Sequence, residues 1–173
     1  MTQQLVLTIV ATDEPGIVQV IAEVVAAHGG NWMDSSMVRL GGEFAGIVQI
    51  SVPDKSVADL QTQLTSLKSR GLVVTVQNAS APPPSIGAMA DLTLSGLDHP
   101  GIVRDISTSL AASGVSIDEM HTEMFAGSMT GEKMFSAKVK VVVPSGAAIE
   151  EIRERLETLA QDIMVEINIQ AET

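Results

Sequence analysis

Apolar positions along the chain fall into short runs whose period switches between two and about 3.6 residues, and the switching occurs twice. Leu5 to Val10 is an aliphatic run that reads as a strand, and from Pro15 onward Ile17, Ile21, Val24, Val25 and His28 keep helical spacing until Gly29-Gly30 stops it. Trp32 to Leu40 and Phe44 to Val52 read as two strands flanking Gly41-Gly42, a two-residue hairpin signal. Val57, Leu60, Leu64 and Leu67 then step by 3, 4 and 3, the stripe of an amphipathic helix, and Leu72 to Val76 closes the set as a strand. In the second half Ile149, Ile152, Leu156 and Leu159 repeat those steps, and Ile163 to Ile169 is the closing strand.

The two halves are copies. Sliding the sequence along itself by 85 residues lays Asp13-Glu14-Pro15-Gly16-Ile17-Val18 on Asp98-His99-Pro100-Gly101-Ile102-Val103. Thr8 then falls on Thr93, Ile21 on Ile106 and Gly29 on Gly114. Phe44 matches Phe135 and Pro53 matches Pro144 at an offset of 91, so the second copy has gained six residues, placed by composition in the loop from Gly127 to Gly131. Between the copies Pro82-Pro83-Pro84 forces extended backbone. The division expected is a first domain over 1–79, a Pro-rich linker over 80–87 and a second domain over 88–173. Each copy reads βαββαβ, so the fold class expected is α+β: two ferredoxin-like domains with antiparallel four-stranded sheets, helices on one face and the other face left for solvent or a partner. A domain of about 80 residues buries a small core, so the two are expected to pack together or against a second chain, as in a homodimer.

Composition then narrows the chemistry. The 173 residues carry 21 acidic and 10 basic side chains, a net charge of −11, and the Lys and Arg are scattered without a stripe. Phosphate backbones are held by clustered basic residues, and Trp32, Phe44, Phe125 and Phe135 are too few for a base-stacking platform. Direct nucleic-acid binding is therefore not expected. The absence of cysteine removes thiolate catalysis, Cys-ligated zinc and disulfides. No apolar run approaches the roughly 20 residues of a membrane span, and residues 1–10 lack a basic leader pattern, so a cytoplasmic protein without membrane contact is expected.

The repeated Asp-x-Pro-Gly-Ile-Val lies at a strand-to-helix junction in each copy, and its parts suit a small zwitterion. Glycine lets a ligand approach the backbone, while the free N–H groups of the first helical turn and the helix dipole attract a carboxylate. Asp13 stands near enough to take an ammonium group through a charge-assisted hydrogen bond. The alternative is capping alone: Asp13 and Asp98 capping their helices, Gly16 and Gly101 serving close packing, and the chain acting as a structural interaction module without a ligand.

Asp13-Glu-Pro-Gly-Ile-Val18 followed by Gly30-Asn31-Trp32, and Asp98-His-Pro-Gly-Ile-Val103 followed by Gly114-Val-Ser-Ile117, resemble two ACT domains, the small amino-acid-sensing modules of metabolic regulation. The likeness covers nearly the whole chain, and a pair with nothing attached is similar in layout to the glycine cleavage system transcriptional repressor family. The resemblance implies side-by-side packing of domains, with an amino acid such as glycine bound between the strand-helix loop of one domain and the second strand of its neighbour. Its ligand positions fall on Asp13, Gly16, Ile17 and Asn31 in the first copy, and on Asp98, Gly101, Ile102 and Ser116 in the second. Serine replaces the usual asparagine at 116 and loses the amide's paired donor and acceptor. The resemblance also implies a protein partner, a DNA-binding activator, with no enzymatic activity and no cofactor.

Other constellations add little. Glu119, His121 and Glu123 alternate along one strand, but Asp34, Ser36 and Val38 stand there in the first copy, so a solvated or domain-facing row is expected rather than a metal site. Glu150 with Arg153, and Glu151 with Arg155, are ordinary helix-surface pairs, and His28 suits a helix C-terminus. Met120, Met124, Met129 and Met134 gather around the inserted loop as packing, with an adaptable contact surface as the alternative. No spacing argues for catalytic residues.

Overall fold

A computed structural model describes residues 1–80, 87–129 and 131–171. The chain divides into two compact units, Met1–Ala81 and Pro82–Thr173. Most of the linker expected over 80–87, including its three prolines, lies outside the described residues.

The first unit runs β1 (Thr2–Thr12), α1 (Ile17–Ala27), β2 (Asn31–Leu40), β3 (Glu43–Pro53), α2 (Val57–Ser66) and β4 (Leu72–Asn78), with short 3₁₀ turns at Asp54–Ser56 and Leu67–Arg70. The second repeats it as β5 (Gly87–Leu97), α3 (Ile102–Ala112), β6 (Ser116–Ala126), β7 (Lys133–Pro144), α4 (Ile149–Ile163) and β8 (Val165–Ala171). The sheet orders are β2-β3-β1-β4 and β6-β7-β5-β8, and all pairings are antiparallel. These are the two βαββαβ folds that the repeat predicts.

Period-two burial on one sheet face meets period-3.6 burial on two helices, and this builds each core. Leu5, Leu7, Ile9, Val48, Ile50 and Val52 face Ile21, Val25, Leu60 and Leu64 in the first unit. Leu92, Leu94, Val139 and Val141 face Ile106, Leu110, Ile152 and Leu156 in the second. No polar side chain is buried among the described residues. Gly41 and Gly42 have φ of 61° and 85°, the positive pair that a tight hairpin turn of matching twist requires.

The structure corrects the reading in three places. The first helix begins at Ile17, not Pro15, because Gly16 adopts φ 92° and turns the chain into the helix one residue after the proline. Ile163 is the last residue of α4 rather than the start of the final strand. Both second strands carry an irregularity, between Trp32 and Asp34 and between Ile117 and Glu119, which leaves Met33 and Asp118 out of register. The inserted loop closes through Gly127 N–H to the Glu132 carbonyl at 2.8 Å and Gly131 N–H to the Gly127 carbonyl at 3.0 Å. Among the described residues no helix is long and apolar enough to cross a membrane.

Candidate functional site

The two strand-helix loops are geometric twins. Gly16 and Gly101 hold φ/ψ of 92°/3° and 93°/1°, a left-handed conformation that favours glycine, and each accepts the first helical hydrogen bond. Asp13 N–H donates to the Gly42 carbonyl at 3.0 Å and Asp98 N–H to the Lys133 carbonyl at 2.9 Å, so each aspartate is pinned beside the hairpin end of its own sheet.

Neither helix has a side-chain cap. Asp13 and Asp98 stand three residues before the glycine that occupies the cap position, and their carboxylates do not reach the helix N–H groups. The N–H groups of Ile17, Val18 and Gln19 therefore meet no acceptor among the described residues. In the second loop Ile102 N–H donates weakly to the His99 carbonyl at 3.4 Å, and those of Val103 and Arg104 meet none. Each loop thus presents unsatisfied donors at the positive end of a helix, with a carboxylate alongside. Both Gly16 and Asp13 are reachable from solvent, whereas Ile17 and Ile102 anchor the helix start in the core.

Asn31 and Ser116 are elsewhere in their units. Asn31 is level with Ser51 and Gln4, whereas Asp13 follows Thr12 at the opposite end of β1. Eight residues of strand separate those rows, about 27 Å at ~3.4 Å per residue. Ser116, level with Val142 and Met89, is similarly far from Asp98. Within a unit the structure brings together the aspartate, the glycine and the isoleucine, and not the second-strand residue.

Arg39 is the neighbour that sequence reasoning missed. Its Nε lies 2.7 Å from Asp13 Oδ2, with the arginine side chain 69% and the aspartate 27% exposed. Arg39 sits opposite Phe44, which sits opposite Ala11, so this one row of the sheet carries the guanidinium across to the end of β1. The signal was available in the strand order: with β3 between β1 and β2, a residue just before the Gly41-Gly42 turn is level with the end of β1. In the second unit Arg104 lies over its loop. A Cβ added to Gly101 would come 2.9 Å from the guanidinium, which Asp105 Oδ1 holds through Nε and Nη2 at 2.8 Å each.

The alternating row of β6 lies on the open face of the second sheet. Glu119, His121 and Glu123 stand opposite Lys140, Lys138 and Ser136. A depression of about 390 Å³ is lined there by Asp91, Thr93, Glu119, His121, Lys138 and Lys140, away from that unit's own strand-helix loop. No group of three or more His, Asp or Glu among the described residues is arranged to hold a metal ion. The helix-surface pair Arg153–Glu150 forms at 2.7 Å, and His28 Nδ1 lies 2.8 Å from the Val24 carbonyl at the end of α1.

Comparison with known proteins agrees with the architecture. A sequence profile of the ACT domain family matches residues 3–77. No curated protein matches the chain. Among solved structures, an unknown protein from Galdieria sulphuraria is 27% identical with a TM-score of 0.89, all of each chain being covered. Another, described as a "putative glycine cleavage system transcriptional repressor", is 20% identical with a TM-score of 0.74, covering 100% of this chain and 99% of that one. The first unit carries the match to the ACT domain family, and the chain as a whole is a tandem of two ACT-like ferredoxin folds.

Proposed function

We propose that this protein is a non-enzymatic regulator that senses a small amino acid, glycine being the first candidate, and passes the signal to a protein partner. Binding is assigned to the loops Asp13, Gly16, Ile17 and Asp98, Gly101, Ile102. A carboxylate meets the free N–H groups at the helix start, and the ammonium group meets the aspartate. Asn31 and Ser116, at the far end of the sheet from their own loops, enter this reading only as residues that a strand lends to the loop of a different domain. The observation that carries the proposal is the absence of side-chain caps at both helices, which leaves helix donors free in the same loop as a carboxylate. The likeness to a structure described as a "putative glycine cleavage system transcriptional repressor" supports a regulator of that type; that it works in the cytoplasm on a DNA-binding activator, as a homodimer, is our inference.

Calorimetry with glycine and a panel of amino acids tests binding directly, and silence at millimolar ligand would sink the proposal. Replacing Asp13 and Asp98 by Ala separates it from capping alone. A true cap costs about 0.5–2 kcal/mol of stability when truncated to Ala. Here Asp13→Ala removes one exposed ion pair and is expected to cost less than about 1 kcal/mol. Loss of ligand response with the fold intact supports sensing; a full capping penalty with no change in ligand response supports the interaction module. A regulatory coupling of about 1–3 kcal/mol is enough for a switch, so weak binding of an abundant metabolite suffices.

A further inference from the structure

The two loops share a backbone but not a distribution of charge. In the first, the cation Arg39 sits on the ammonium-receiving pole, its Nε 2.7 Å from Asp13. In the second, the residue opposite Phe135 in the same sheet row, the place Arg39 takes opposite Phe44, is Met124. Asp98 makes no ion pair among the described residues, and the second loop's cation, Arg104, lies instead over Gly101 at the helix start. Its counterpart in the first copy is the neutral Gln19. Arg104 is itself held by Asp105, so the positive pole of the second loop is the helix N-terminus; its negative pole, Asp98, is unpaired among the described residues, and the two poles stay separate, as a zwitterion requires. In the first loop the negative pole is already neutralised.

We propose that the Asp13–Arg39 pair is a latch that makes the first loop the weaker of two unequal amino-acid sites, with the second loop filling first. This rests on the amino-acid-binding reading of both loops. An incoming ammonium group must take Asp13 from the guanidinium, whereas Asp98 is free to receive it. The pair is largely exposed, so its strength is that of a surface ion pair. The difference it makes is a factor of about two to five in affinity, enough to widen the concentration range over which the protein responds.

The test exchanges the two residues in the full chain and follows the amide resonances of Gly16 and Gly101 by NMR while glycine is added. In the wild type, Gly101 is expected to shift at lower glycine concentration than Gly16. Arg39→Met should strengthen binding at the Gly16 loop about twofold to fivefold and leave the Gly101 loop unchanged. Met124→Arg should weaken the Gly101 loop by a similar factor. Arg39→Gln gives the same reading if methionine at that exposed position promotes association. Unchanged or weakened binding at the Gly16 loop in both Arg39 variants, with glycine still binding at both loops, overturns the latch and leaves the sensing reading intact. No shift of either amide in any of these proteins overturns both.

Discussion

Met164 and Gly16 show how single backbone positions hold this fold. Met164 has φ 53°, the one non-glycine residue with positive φ among those described, and caps the end of α4 in the left-handed conformation. The first unit puts Gly71, with φ 81°, immediately before its own last strand. A left-handed L-residue costs about 1–2 kcal/mol, partly offset in a glycine variant by about 0.5–1 kcal/mol of chain entropy. Met164→Gly should therefore stabilise the protein by about 0.5–1 kcal/mol, read as a raised urea midpoint at unchanged slope. Gly16→Ala should do the reverse. Open space surrounds the added methyl, so conformational strain of about 1–2 kcal/mol, offset by about 0.5–1 kcal/mol of chain entropy, is the whole effect. A much larger loss would mean that the loop has packing partners beyond those described.

At the scale of elements, stability is concentrated where a helix stripe meets the buried sheet face. Leu64 on α2 and Leu156 on α4 are 0% and 1% exposed and occupy the same step of the repeated helix pattern. Truncating either to Ala should cost about 2–5 kcal/mol, the range for a buried leucine, in chemical denaturation. A cost below about 1 kcal/mol would show that these helices are not seated as described. The periodic elements were legible because each buries one face, so Leu5 to Val10 and the 3, 4, 3 steps of the second helices announced themselves. The bulges after Trp32 and Ile117 were not, since an extra residue in a strand leaves no hydrophobic signature when the strand is largely exposed. Part of the candidate site's geometry was legible as a motif, the junction that carries Asp13 and Gly16 and its copy. Arg39 was not, because an ion pair between residues 26 positions apart appears only once β3 is placed between β1 and β2. Nor did the motif reveal that Asn31 stands at the other end of the sheet, which depends on pairing register rather than on residue type.

Across the whole molecule, charge decides what the protein can approach. The net charge is −11, and three of the ten basic residues, Arg39, Arg104 and Arg153, are held by Asp13, Asp105 and Glu150. Lys138 and Lys140 lie on the open face of the second sheet, Lys138 level with His121 and Lys140 between Glu119 and Asp91, so the lysines of β7 form no unbroken basic stripe. Nonspecific DNA binding rests on neutralising several phosphates at once, and a scattered cation set on an anionic protein forfeits that gain while adding repulsion. The chain alone is therefore expected to leave a DNA fragment unshifted in a retardation gel at tens of micromolar protein and physiological salt, where ordinary nonspecific binders at about 10⁻⁴–10⁻⁶ M begin to act. Lowering the salt should not rescue binding, because weaker screening strengthens the repulsion along with any local attraction. A shift that grows as salt falls would reveal a basic surface that the fold does not display, and would remove the need for a DNA-reading partner. If the gel stays silent until a DNA-binding protein is added, that outcome supports the proposed reading, in which the signal passes through a protein contact.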